Sequence, residues 1–220
     1  MDTSQFDKAL IAAVFQRAAL VGWKQATLVD AARDAALDLS RVRLRFPGKR
    51  AVLARFGTAA DQAMLAGSPT EGTPRERLFD LLMLRFDQLQ QYRDGVLALM
   101  QALPTEPATA LLLYGATLRS MRWILDAAGV PSGGVTGALR VQGLAAVWAY
   151  ALRAWQDDSG TDLPATMAAV DRGLDRAVQA EEMLPGRTPA VPSETEMEPP
   201  PPPMVSGTAV AAAEDGPAVI

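Results

Sequence analysis

The stretch Thr27 to Lys49, TLVDAARDAALDLSRVRLRFPGK, decides how this chain is read. Its spacing predicts two short helices joined by a tight turn and closed by a Phe-Pro-Gly break. Thr27 is a good N-cap, and Asp30 three residues on completes an imperfect capping box. Leu28, Ala31, Ala32 and Ala35 give the first helix a small-residue face suited to close packing. Asp38 is the next N-cap candidate. From it a helix of one to two turns, Leu39 to Phe46, places Leu39, Val42 and Phe46 on one face at i, i+3, i+7. Arg41 and Arg45 are i, i+4 neighbours on a second face, and Arg43 lies on a third. Pro47 ends the helix, because the residue before a proline avoids the α region. A short helix anchored inward by three apolar residues and showing three arginines outward fits a nucleic-acid groove. A solvated basic helix in a bundle fits the same residues as well.

Charge is distributed unevenly around this stretch. The chain has 21 basic and 25 acidic residues, a net charge of −4. The segment after Met183 holds one base, Arg187, and five acids, Glu194, Glu196, Glu198, Glu214 and Asp215. Without it the two signs balance. Between Asp38 and Arg55 six bases face one acid, which concentrates positive charge where a DNA-facing patch needs it.

Composition narrows the function classes. The 220 residues suffice for one or two domains with a real core, and 49% hydrophobic with 21% charged content describes an ordinary globular protein. No apolar run reaches ~18 residues, so no transmembrane helix and no stable membrane association are expected. The first residues, MDTSQFDKAL, lack a charged-then-apolar leader, so the expected compartment is the cytoplasm. Cysteine and histidine are both absent. Their absence removes disulfides, thiolate chemistry, Cys/His zinc sites and histidine acid–base catalysis. No pair of acids sits in an evident catalytic motif. No enzyme activity, metal or cofactor is expected.

The remaining chain reads as helix throughout. Residues 6–20 form a first helix, with Phe6, Leu10, Ala13, Val14 and Leu20 on its buried stripe. Gly22 ends it, and Trp23 packs over the small N-terminal unit. Lys49 to about Ala66 is a longer helix carrying Lys49 and Arg50 in its first turn, where a phosphate could satisfy both side chains and free N–H groups. Simple solvent exposure accounts for them equally. The loop GSPTEG, 67–72, separates the halves. Thr73-Pro74-Arg75-Glu76 is the clearest helix start, and that helix runs to about Gln91. Asp94–Leu103 is a shorter helix. Thr105 is read as the cap of one running to Ala128, and Asp162 as the cap of a last helix, Leu163 to about Met183. Between these lies a strongly apolar helix from Val135 to about Asp157. Val141, Leu144, Trp148 and Leu152 make it apolar around much of its circumference, which suits a central helix or an interface. Gly137, Gly143 and several alanines permit close approach of a second helix. The expected fold is all-α with about nine helices: residues 1–48, residues 49–183, and a Pro-rich acidic tail from 184 that cannot bury a core.

Gly22-Trp23, Ala26-Thr27 and Phe46-Pro47-Gly48-Lys49 together resemble the N-terminal helix-turn-helix of TetR-family transcriptional regulators, over roughly residues 8–65 without a gap. Three positions depart from that pattern. Ala36 stands where the family has a turn glycine, Arg41-Val42-Arg43 replaces a common Thr-Leu-Tyr run, and Val29 replaces a frequent basic residue. The resemblance implies operator contacts by Thr27, Ser40, Arg41, Arg43, Arg45 and Lys49. It implies a homodimer through the last two helices, with Val141, Leu144, Trp148 and Leu152 at the interface. It further implies a pocket for a small apolar effector, and the bulky residues available on the middle helices are Met83, Phe86, Met100, Tyr114, Met121 and Trp123. The same residues at helical spacing also make an ordinary core. The function implied is a DNA-binding repressor. A second similarity, carried by Trp148 to Asp171 with Trp155, Asp157-Asp158-Ser159 and Thr166, is to a ubiquinone-biosynthesis accessory family that shares the fold and binds lipid without acting on DNA.

Overall fold

Thr27, Asp38 and Thr73 cap the helices expected of them. The Thr27 hydroxyl oxygen accepts from the Asp30 N–H at 3.1 Å, and the Asp38 carboxylate from the Arg41 N–H at 2.7 Å. Thr73 and Glu76 form a full capping box, with Pro74 in the first turn. The computed structural model describes residues 2–182 and shows nine α-helices and no strand among them. They are α1 (Thr3–Val21), α2 (Leu28–Asp34), α3 (Leu39–Arg45), α4 (Lys49–Ala66), α5 (Pro74–Gln90), α6 (Arg93–Ala102), α7 (Pro107–Ala127), α8 (Gly134–Asp157) and α9 (Pro164–Glu182). A short 3-10 turn, Leu103–Thr105, links α6 to α7. The Pro-rich segment from 184 lies outside the described residues.

Two expected caps are replaced. Thr105 lies in the 3-10 turn, and Glu106 precedes α7, its carboxylate accepting from the Thr109 hydroxyl at 2.8 Å. Asp162 is exposed, and α9 is capped by Asp158 instead. That buried carboxylate accepts from the Thr166 N–H at 2.8 Å and from the Thr166 hydroxyl at 2.9 Å. Burial raises the Asp158 pKa, but the hydrogen bonds from Thr166, Gly160 and Ala165 outweigh it and hold the group below the ordinary carboxylate range. A carboxylate eight residues from its target is invisible to a capping rule that looks three residues ahead.

The α2–α3 turn is closed by a Schellman motif. The Leu37 N–H donates to the Ala32 carbonyl at 2.8 Å, and the Ala36 N–H to the Arg33 carbonyl at 3.0 Å. The motif needs a left-handed residue at its bend, and here that residue is Ala36, with φ 51°. The turn therefore forms without the customary glycine, at a steric cost of ~1–2 kcal/mol.

The buried apolar side chains make one cluster from Phe6 to Leu174. α1 runs through the N-terminal half and packs on α2, α4 and α6. At its crossing with α6, a Cβ on Gly95 would lie 2.4 Å from the Phe15 carbonyl oxygen, so only glycine admits that approach. Phe15, Trp23, Phe56 and Tyr92 gather beside it, with Phe15 stacked on Tyr92 at 5.4 Å and edge-on to Phe56 at 4.9 Å. Leu20, expected on the buried stripe, is exposed at the last turn of α1. α8 and α9 form a closely packed pair. Its close contact is at Gly173, whose added Cβ would meet Val147 at 2.8 Å. Gly137 instead closes on the backbone of its own loop at Ser132, and Gly143 faces open space.

α4 carries the N-terminal helices into the body. It packs on α1, α5 and α7. A buried polar link fixes that junction: Asp61 of α4 accepts from Arg85 of α5 and from Ser120 of α7. The Arg85 guanidinium also lies over the Trp148 ring at 5.3 Å, joining α5 to α8.

Candidate nucleic-acid interface

α3 is held by Val42 and Phe46, both buried. Leu39, the third expected anchor, is instead exposed at the start of the helix. What fixes the rotation of α3 is an acid on α1. Asp7 is only 4% exposed and receives two arginines. The Arg45 guanidinium donates to it twice, through Nε and through Nη2, the latter at 2.7 Å. Arg55 of α4 donates to the same carboxylate at 2.7 Å. The Arg45 hydrogen bonds are the main reason the Asp7 pKa lies below the ordinary range; burial opposes them and Arg55 adds to them. Asp7 thus ties α1, α3 and α4 together.

This arrangement changes the assignment of the basic patch. Arg45 is engaged inside the protein and cannot offer its fork to a base without releasing Asp7. Lys49 is engaged too. Its ammonium donates to the Trp23 carbonyl at 2.6 Å and lies 5.0 Å from the Trp23 ring centre. Burial lowers the Lys49 pKa, an effect only partly offset by Glu106. Arg41 lies over the Phe6 ring at 4.2 Å. The Thr27 hydroxyl donates to Asp30 at 2.7 Å, and the Ser40 hydroxyl to Asp38. Arg43 and Arg50 are exposed and make no ion pair among the described residues. Of the six residues expected to meet DNA, Ser40 and Arg43 are exposed on α3, Thr27 caps α2, Arg41 lies over Phe6, and Arg45 and Lys49 bond within the unit.

Leu44 was not among the expected site residues. It is 89% exposed beside Arg43. Asp7 was missed as well, although an acid next to Phe6 and three before Leu10, on an otherwise apolar stripe, signals a buried cationic partner.

A cleft of about 370 Å³ opens between Trp23, the start of α4 and the start of α7, lined by Pro47, Lys49, Arg50, Glu106 and Thr109 among others. A second groove of about 590 Å³ runs between α1, α4 and the end of α5, past Lys8, Arg55, Phe56, Gln88 and Tyr92. Neither is lined by the six residues expected around an effector. Those six do not share a wall. Phe86 and Met121 are fully buried, Met83 and Met100 half-buried, and Tyr114 and Trp123 exposed, Trp123 at 60%. Phe86 is stacked on Trp148 at 4.4 Å, so the space between α5 and α8 is filled by these rings.

The residues expected at a dimer interface lie mainly on the inner side of α8. Val141, Leu144 and Trp148 are buried within one protomer, and Leu152 is half-buried. The outward side of α8 carries Val135, Leu139, Gly143, Ala146 and Tyr150 instead. A helix apolar around most of its girth has both an inner and an outer stripe.

No protein-family model matches the chain, and the search of curated proteins returns no match. Solved structures do match. A TetR transcriptional regulator from Nitrosomonas europaea ATCC 19718 superposes with a TM-score of 0.66 at 22% identity, covering 80% of this chain and 99% of that one. A transcriptional regulator from Rhodococcus sp. Rha1 gives a TM-score of 0.53 at 20% identity, covering 79% of this chain and 96% of that one. The chain has the fold of TetR-family transcriptional regulators.

Proposed function

We propose that the chain is a DNA-binding transcriptional regulator acting as a homodimer in the cytoplasm. The observation that supports this most is the construction of α3. It is a short capped helix, locked to α1 through Asp7, that turns Ser40, Arg43 and Leu44 outward beside Arg50. A rigid mount under an outward basic helix is what groove docking requires. Two copies joined through the outer stripe of α8 and the neighbouring face of α9 would present two such helices about one DNA turn, ~34 Å, apart. The protein would act as a repressor whose operator affinity a small apolar molecule lowers. Space for such a ligand between α5 and α8 would require Phe86 and Trp148 to separate, and the half-buried Met83 and Met100 are adaptable neighbours on the same core. It works only by binding the two arrangements of the dimer with different affinity.

A gel-shift titration of the purified protein against the DNA upstream of its own coding region, with a scrambled control, tests the reading. Selective retardation by a dimer supports it. The engagement of Arg45 and Arg55 by Asp7, and of Lys49 by the Trp23 carbonyl, favours the second reading, a lipid-binding accessory protein of ubiquinone biosynthesis. Lipid co-purifying with a protein that shifts no DNA would select that one.

A further inference from the structure

The outward face of α3 is apolar as well as basic. Leu39, Ser40, Arg43 and Leu44 stand at i, i+1, i+4 and i+5, so they share one side of the helix. All four are exposed, Leu44 almost completely. A folded protein has no internal use for a leucine in that position, and α3 already has its anchors in Val42 and Phe46. The cations that usually read guanine are mostly engaged. Arg45 and Arg55 hold Asp7, Lys49 holds the Trp23 carbonyl, and Arg41 covers Phe6. Arg43 is exposed, whereas Arg41 and Arg45 of the same helix are half-buried. The nearby acid, Asp38, is engaged as the cap of α3 by the Arg41 N–H and the Ser40 hydroxyl. The face therefore sets Leu39 and Leu44 on either side of Ser40 and Arg43, and Lys24 and Arg50 are further exposed cations of the same N-terminal unit.

In the major groove the one apolar group on a base edge is the C5-methyl of thymine. We infer that Leu44, assisted by Leu39, reads thymine methyl groups, so that the half-site under α3 is specified by A·T pairs with a single arginine contact from Arg43. The exposed cations suit the phosphates on either side of that groove. This inference rests on the DNA-binding reading above.

The test uses the full-length protein and a random duplex library. After enrichment, each thymine of the selected duplex is replaced by uracil, which deletes the methyl group and nothing else. For the wild-type protein, one or two positions per half-site should weaken binding about fourfold each, the transfer cost of one buried methyl. In Leu44→Ala the same replacements should be nearly silent, with unchanged helicity and oligomeric state, because Leu44 is exposed. Two results overturn the inference while leaving the DNA-binding reading standing. One is a uracil scan flat to within about 1.5-fold, well below the loss of a buried methyl. The other is a wild-type pattern of sensitivity retained in both Leu44→Ala and Leu39→Ala. Failure to enrich any sequence overturns the DNA-binding reading and this inference together.

Discussion

Arg45 of α3 and Asp7 of α1 lie 38 residues apart in the chain and are joined by two hydrogen bonds, one of them 2.7 Å long. The pair sets the orientation of α3 from behind. An arginine that reads as a DNA contact by its place in the sequence is thereby a positioning residue for its neighbours.

Asp7→Asn should destabilise the protein by about 1.5–3 kcal/mol, the range for losing hydrogen bonds to a charged group. The lower part of the range applies, because both guanidiniums keep contact with water. The folded pKa of Asp7 is depressed, so its contribution is complete above the unfolded value near ~3.9 and disappears as pH falls through the folded value. Urea unfolding of wild type and variant should show a constant gap from pH 7 to about 5 that narrows below about 4. A gap unchanged at pH 3 contradicts the assignment.

Arg43→Ala and Arg45→Ala should separate binding from stability. Arg43 is exposed, so its removal should leave the unfolding midpoint in place and weaken DNA binding. A phosphate contact would appear as a salt slope shallower by ~1, and a guanine contact as a loss of ~1–3 kcal/mol at one base pair. Arg45→Ala should lower the unfolding midpoint by releasing one arm of the Asp7 pair. The opposite pattern, a stable Arg45→Ala and an unstable Arg43→Ala, would rule out the division of roles.

Ala36→Gly should stabilise the protein by about 1 kcal/mol, because Ala36 sits at φ 51° where glycine carries no Cβ penalty. The unfolded chain gains freedom from the glycine, which offsets part of the benefit. Thermal unfolding of the pair measures the net sign. A lower midpoint for Ala36→Gly would show that the left-handed bend is not strained.

Gly143→Arg should block dimerisation without harming the protomer. A Cβ there meets nothing within 4 Å, and the residue is exposed on the outer stripe of α8. Sedimentation velocity should show a folded monomer. A dimer as tight as wild type would move the interface to another face.

Much of the fold was legible because its signals are local. Thr73 with Glu76, Thr27 with Asp30, and the Phe46-Pro47 stop all act within four residues. The helix-turn-helix spacing is legible for the same reason. The site was legible only in outline. Periodicity placed Arg41, Arg43 and Arg45 on the right helix but could not say which one an acid on α1 would capture. The cap of α9 failed in the same way, since Asp158 reaches it across a loop. On α8, period alone could not separate Trp148, stacked on Phe86 within the protomer, from the outward Leu139 and Ala146. Each of these turns on tertiary partners, which a helical pattern does not encode.

The most direct measurement is a fluorescence-anisotropy titration of the full-length protein against a selected duplex and a scrambled one over a range of salt concentrations. The account predicts dimer binding to the selected duplex at least ~10³-fold tighter than to the scrambled one, with a steep salt slope that Arg43→Ala reduces. Equal, weak and salt-labile binding to both duplexes would contradict it.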